Sequence, residues 1–307
     1  MDPGRGHCMR LRLSRLLLPI TLAFGAVGPA LPAQVNRLPT RVEPRLEAAA
    51  AVPFGPGELL RYDVRLGALG RRGEGYMQVV GLDTVRGHTT YHVSMAIEGG
   101  LLFAKVKDHY DSWFDVTDLI TLRFIQDVDE INYERYRHWE LFPEERRWER
   151  PDNGNEGDMP TDLPLDDISF IYFVRTLPLE VGDEYSFDRY FRESGNPVVI
   201  RVLRKDTVTV PAGTFETVVV QPIIQTKGLF GEGGEAELYF TTDERRLMVL
   251  MRSKVPLVGA LSLHLTEIRE GRPIQPPRSW GSIPPLSPET GVPGSTGGAA
   301  RDGPSPT

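Results

Sequence analysis

Polar and apolar positions alternate one by one through most of the middle of this chain. Leu60, Tyr62, Val64 and Leu66 alternate with Arg61, Asp63 and Arg65; Tyr91, Val93, Met95 and Ile97 alternate with His92, Ser94, Ala96 and Glu98. Period two puts the apolar side chains on one face of an extended segment, so each run is expected to be a half-buried β-strand. The same reading gives strands over 75–82, 104–116, 119–127, 184–192, 198–204, 215–224, 235–241, 246–253 and 260–268. Arg86-Gly87, Asp152-Asn153-Gly154 and Pro211-Ala212-Gly213 are turn signals, and connections this short join antiparallel neighbours. The expected fold is all-β and mainly antiparallel, a curved open barrel or a two-sheet sandwich, over residues 54–270.

One stretch breaks the alternation. Asp166-Asp167 can cap a short helix over Ile168 to Leu177, stopped by Pro178. Ile168, Phe170, Ile171, Tyr172, Phe173, Val174 and Leu177 make it apolar nearly all round, so it is expected to be buried or to lie across a sheet's concave face. Arg175 sits late in this helix. Its guanidinium must reach solvent, pair with an acid or meet an anionic group of a ligand, which makes Arg175 the candidate ligand-binding residue. The simpler expectation is an ion pair that pins helix to sheet.

The two sides of the helix resemble each other. Gly57-Glu58-Leu59-Leu60-Arg61-Tyr62 is echoed by Gly182-Asp183-Glu184-Tyr185-Ser186-Phe187, and Asp83-Thr84-Val85 by Asp206-Thr207-Val208. Gly100-Leu101-Leu102-Phe103 is followed by Gly228-Leu229-Phe230, and Ser112-Trp113-Phe114 with Asp118-Leu119 by Leu238-Tyr239-Phe240 with Asp243 and Leu247. Four landmarks in one order suggest two duplicated meanders.

Phe54-Gly55-Pro56-Gly57-Glu58-Leu59-Leu60-Arg61-Tyr62-Asp63-Val64, the helix phrase from Asp166 to Pro178, and Thr242-Asp243-Glu244-Arg245-Arg246-Leu247 resemble the bacterial domain of unknown function 3108 family. The resemblance covers about residues 52–270. It implies an exported, antiparallel β-rich domain of the bacterial envelope and brings no catalytic residue, cofactor or substrate. Val249 stands where the family usually has a proline.

The flanks read differently. Residues 1–33 carry Arg5, Arg10, Arg12 and Arg15 against Asp2, then an apolar run from Leu16 to Val27 and small residues up to Ala33. That is the pattern of a secretory signal peptide, starting at Met1 or Met9 and cleaved after Ala30 or Ala33. Its apolar run, broken by Pro19, is too short to span roughly 30 Å of hydrocarbon, and no later segment offers a transmembrane span in the mature chain. Cys8, the single cysteine, leaves with the leader. Residues 34–53 read as a flexible linker and 271–307, rich in Pro, Gly and Ser, as a disordered tail. The expected location is periplasmic or secreted.

Of the formal net charge of −7 the leader carries +3, so the mature chain holds −10. Linker and tail each carry +1, which leaves −12 on residues 54–270 and argues against a nucleic acid partner.

Candidate chemistry is sparse. His88 and His92 are four apart on a strand, about 13 Å, too far to share an ion. His109, His138 and His264 are isolated in sequence, and there is no His-Glu-x-x-His, Gly-x-Ser-x-Gly or phosphate loop. No metal and no cofactor is expected. On 104–116, His109, Asp111, Trp113 and Asp115 share one face. Strand neighbours two apart sit roughly 7 Å from each other, the spacing of paired acids in glycosidases, so Asp111 and Asp115 are the weak catalytic candidates; a solvated outer face is the plainer alternative. The expected function is a non-catalytic exported envelope protein whose β-domain binds an apolar ligand or an envelope protein. The alternative is a hydrolase acting on envelope glycans through paired carboxylates.

Overall fold

The structure, a computed structural model, describes residues 52–274 except 102–103, 131–132, 226–229, 231–235 and 256–258. The expected leader, the linker up to Ala51, the tail from 275 and parts of the 100–103 and 228–230 landmarks lie outside the described residues.

Strands β1 (Leu59–Leu66), β2 (Arg71–Val85), β3 (His88–Leu101), β4 (Ala104–Asp115), β5 (Thr121–Glu130), β6 (Tyr133–Phe142), β7 (Arg147–Arg150) and β8 (Asn155–Asp158) form a continuous antiparallel meander. A short helix, α1 (Ser169–Val174), follows. A second meander is built from β9 (Glu184–Phe187), β10 (Val198–Val210), β11 (Gly213–Ile223), β12 (Glu237–Thr241), β13 (Met248–Val255) and β14 (Gly259–Arg269). β14 pairs with β1 and joins the two into one 14-stranded sheet with β8 and β9 at its edges. The sheet is open, and the two-sheet alternative falls because every strand among the described residues belongs to this single ladder.

The sheet is strongly curled. Tyr172 of α1 meets Phe114 of β4 at 5.8 Å between ring centroids, and the adjacent Phe173 meets Phe187 of β9 at 5.5 Å. A six-residue helix is about 9 Å long, whereas strands as far apart in the ladder as β4 and β9 would lie about 43 Å apart in a flat sheet. Both can touch one helix only if the sheet wraps around it. All six residues of α1 are buried, and one hydrophobic core runs from Phe54 through the helix to Leu265.

The internal resemblance is repeated in the hydrogen bonds. Gly57 N–H donates to Val79 O and Val79 N–H to Glu58 O; Gly182 N–H donates to Val202 O and Val202 N–H to Asp183 O, all at 2.9 Å. Gly57 and Gly182 hold φ of 89° and 96°, a left-handed conformation natural to glycine. A register shift follows each valine, at Val79/Gly81 and at Val202/Arg204. Asp83 Oδ1 accepts Thr84 N–H and Asp206 Oδ1 accepts Thr207 N–H, while Thr90 and Thr217 hydroxyls donate to the carbonyls of Asp83 and Asp206. Val116 N–H to Thr89 O has its counterpart in Thr242 N–H to Glu216 O. β1–β6 and β9–β14 are therefore two copies of one six-strand unit, and the β7–β8 hairpin is an addition to the first.

Three features depart from expectation. β6, β7 and β8 are strands that the alternation does not reveal. In β6 the face that buries Trp139 and Leu141 also carries the half-buried Arg135 and Arg137, so polar residues occupy both faces and the period disappears. β9 ends at Phe187, because Tyr190 leaves the ladder for a parallel bridge to Leu165 and is clamped by the Asn196 amide. The helix proper spans Ser169–Val174, and i→i+3 bonds carry one more turn to Leu177.

Candidate functional site

Two polar constellations lie on opposite faces of the sheet. The first surrounds α1. Asp166 Oδ1 accepts the N–H groups of Ile168 (2.7 Å) and Ser169 (3.0 Å), capping the helix. Its Oδ2 accepts the hydroxyls of Ser112 (2.6 Å, β4) and Thr121 (2.8 Å, β5). Asp167 accepts Gln126 Nε2 (3.1 Å) and Tyr190 OH (3.0 Å). Burial pushes the Asp167 carboxyl up to about 6, with the nearby Arg192 opposing and Asp166 adding to the rise. Burial also raises Asp166, against the bonds it accepts.

At the far end of the helix Arg175 is buried. Nη1 donates to Glu58 Oε1 (2.6 Å), and Nη2 to Glu58 Oε2 (2.9 Å), Pro53 O (3.1 Å) and Arg245 O (3.0 Å). Phe54 and Tyr172 rings flank the guanidinium at 5.3 and 5.5 Å. Burial works against the charge of Arg175, but the Glu58 carboxylate holds its pKa above the usual guanidinium value. Glu58 belongs to the first copy and Arg245 to the second. Arg189 completes the arrangement: it donates to Leu119 O, in the turn of the first copy that corresponds to the one containing Arg245, and covers the Phe173 ring at 4.5 Å.

The second constellation is on the outer face of β2, β3 and β4. Ser94 Oγ is 2.9 Å from His109 Nε2, and His109 Nδ1 is 3.4 Å from Asp111 Oδ2. Asp111 Oδ1 lies 2.8 Å from His92 Nε2. The His92 ring stacks on Trp113, 4.2 Å between centroids and 6° from parallel, and Trp113 Nε1 donates to Asp83 Oδ2 at 3.0 Å. The N–H of Thr84, then the Trp113 indole, hold the Asp83 carboxyl below its ordinary value.

Asp111 thus stands inside a histidine cluster. Asp115 does not join it: Asp115 Oδ1 caps the β4–β5 turn by accepting the N–H groups of Thr117 and Asp118, and Oδ2 faces His88 at 3.5 Å. Four strand positions hold Asp111 and Asp115 about 13 Å apart, beyond the reach of a glycosidase acid pair. Ser94 and His92 gained no role from sequence, because only the register of β3 on β4 sets Ser94 opposite Asp111 and His92 opposite Trp113. Among the described residues no group of three or more His, Cys, Asp or Glu side chains is placed to hold a metal ion.

The family model for proteins of unknown function DUF3108 matches residues 61–266, more than half of the sequence. The chain belongs to the DUF3108 family. No curated protein matches this DUF3108 chain. Similar solved structures include a β-barrel-like protein of domain of unknown function DUF1849 from Brucella abortus, at 9% identity and a TM-score of 0.45, covering 71% of this chain and 98% of that one. Another is a hypothetical protein from Chlamydia trachomatis, at 10% identity and a TM-score of 0.33, covering 78% and 99%. Among the described residues no helix of this DUF3108 chain is long and apolar enough to cross a membrane.

Proposed function

We propose that the chain is an exported envelope protein whose β-domain recognises a protein partner through its outer face, with no catalysis in its interior. One observation carries the reading: the concave face, where an apolar ligand would have to sit, is occupied by the chain's own helix, whose six residues are all buried. The interior acids Asp166, Asp167 and Glu58 accept hydrogen bonds that hold this helix in place. Of the two occupants considered, ligand and protein, the filled interior favours the protein. Exposed Tyr136 on β6, 53% accessible, supplies apolar surface for it on the outer face. The leader-like segment supports export.

The test is native mass spectrometry and cross-linking of full-length protein from the periplasmic fraction of an expressing bacterium. A protein adduct that is retained by the parent and lost in Tyr136→Ala, at unchanged thermal stability, supports the reading. A small apolar molecule bound stoichiometrically, or retention of the adduct by Tyr136→Ala, overturns it.

A further inference from the structure

We propose that Ser94, His109 and Asp111 form a nucleophile–base–carboxylate relay on the outer face that hydrolyses small carboxylic esters. The inference goes beyond the binding role and stands on separate residues. Its first support is the order of contacts. Serine oxygen meets Nε2 of the imidazole at 2.9 Å, and the other ring nitrogen, Nδ1, meets a carboxylate oxygen at 3.4 Å. In that order one nitrogen can take the hydroxyl proton while the other is held by an anion that stabilises the imidazolium.

The second support is how the carboxylate is fixed. Asp111 is held through its other oxygen by His92, His92 by its stack on Trp113, and Trp113 by Asp83. A packed chain of this kind keeps the relay's geometry on rigid strands. The third is what stands on the opposite side of Ser94. Tyr76 OH lies 3.5 Å from Ser94 Oγ, and Gln78 of β2 is directly cross-strand from Ser94. A phenol and a carboxamide are the kinds of donor that stabilise a developing oxyanion. Ser94 itself is only 5% exposed, so an ester would have to approach it along His109, whose side chain is 41% exposed.

In the reaction Ser94 Oγ bonds to the ester carbonyl carbon as its proton passes to His109 Nε2, and the carbonyl oxygen becomes an oxyanion facing Tyr76 and Gln78. Collapse breaks the bond to the alkoxide, which leaves as the alcohol with the proton from His109. Water, deprotonated by the same nitrogen, then cleaves the acyl-serine to the acid and restores the Ser94 hydroxyl.

The test uses the purified full-length chain with a biotinylated fluorophosphonate, read by peptide mass spectrometry, and with p-nitrophenyl acetate. Expected are a label on the Ser94 peptide and turnover of the ester, both abolished in Ser94→Ala. His109→Gln should lower kcat by about 100-fold or more. Asp111, a positioning residue, should show its role as a lower kcat at unchanged KM in Asp111→Asn, with partial rescue by Asp111→Glu. The proposal is overturned if the parent takes no label at Ser94, or if Ser94→Ala or a folded His109→Gln turns the ester over at the parent's rate. Either failure leaves the partner-binding reading standing.

Discussion

Arg175 grips Glu58 with both terminal nitrogens, at 2.6 and 2.9 Å, although 117 positions separate them in the chain. Both are buried, so the pair is held by mutual satisfaction and not by solvent. Arg175→Ala should cost about 3 kcal/mol or more, because it strands the Glu58 carboxylate in the core. Arg175→Met combined with Glu58→Leu should lie closer to the parent than either single change. Urea denaturation of the four proteins gives the coupling directly, and additive single effects would contradict the pairing.

Asp167 predicts a pH effect with a definite sign. Folding raises its pKa from the ordinary 3.8 to about 6, so the folded chain holds this proton more tightly than the unfolded one. The stabilisation is fully present below about pH 4 and is lost as pH rises through about 6, on the order of 2–3 kcal/mol. Denaturation of the parent and Asp167→Asn between pH 4 and 7 should show the parent losing stability relative to the variant over that window.

The two copies should be matched energetically. Thr90 and Thr217 are both buried and donate to equivalent aspartate carbonyls. Thr90→Val and Thr217→Val should each cost about 1 kcal/mol. Lying in separate copies with no shared partner, they should add in the double variant, as unfolding midpoints will show.

Gly55 marks a close approach between the two ends of the domain. A Cβ there would fall 2.2 Å from Arg272 O, and Arg272 N–H donates to Pro56 O at 3.0 Å. Gly55→Ala should destabilise by about 2 kcal/mol or more. Gly81→Ala, where a Cβ meets nothing within 4 Å, is the control and should change the melting temperature little.

Much of the fold was legible because strands with one wet face declare themselves. β1 and β3 are open alternations, and the paired Asp83-Thr84-Val85 and Asp206-Thr207-Val208 mark corresponding stretches of β2 and β10 in the two copies. β6 was illegible for the opposite reason: Arg135 and Arg137 share a face with Trp139 and Leu141. The partner of Arg175 could be expected to be an acid of one copy, but its identity as Glu58 depended on the curl of the sheet. The outer-face cluster was half visible. His109 and Asp111 lie on one strand, whereas Ser94 and His92 come from its neighbour, and pairing between strands is decided by register, which a single strand does not encode.

The seam between β1 and β14 sets an order of events for the growing chain. Among the described residues β1 is the first strand made and β14 the last, yet Leu59 ends opposite Arg269. Each meander can zip up locally between consecutive strands, but the inner edge of the first copy stays unpaired until the final strand has been delivered. Loop closure across nearly the whole domain is therefore the last and slowest step, and the half-made protein carries an open edge that invites other strands. A chain that must wait in this way benefits from being held unfolded until it is complete.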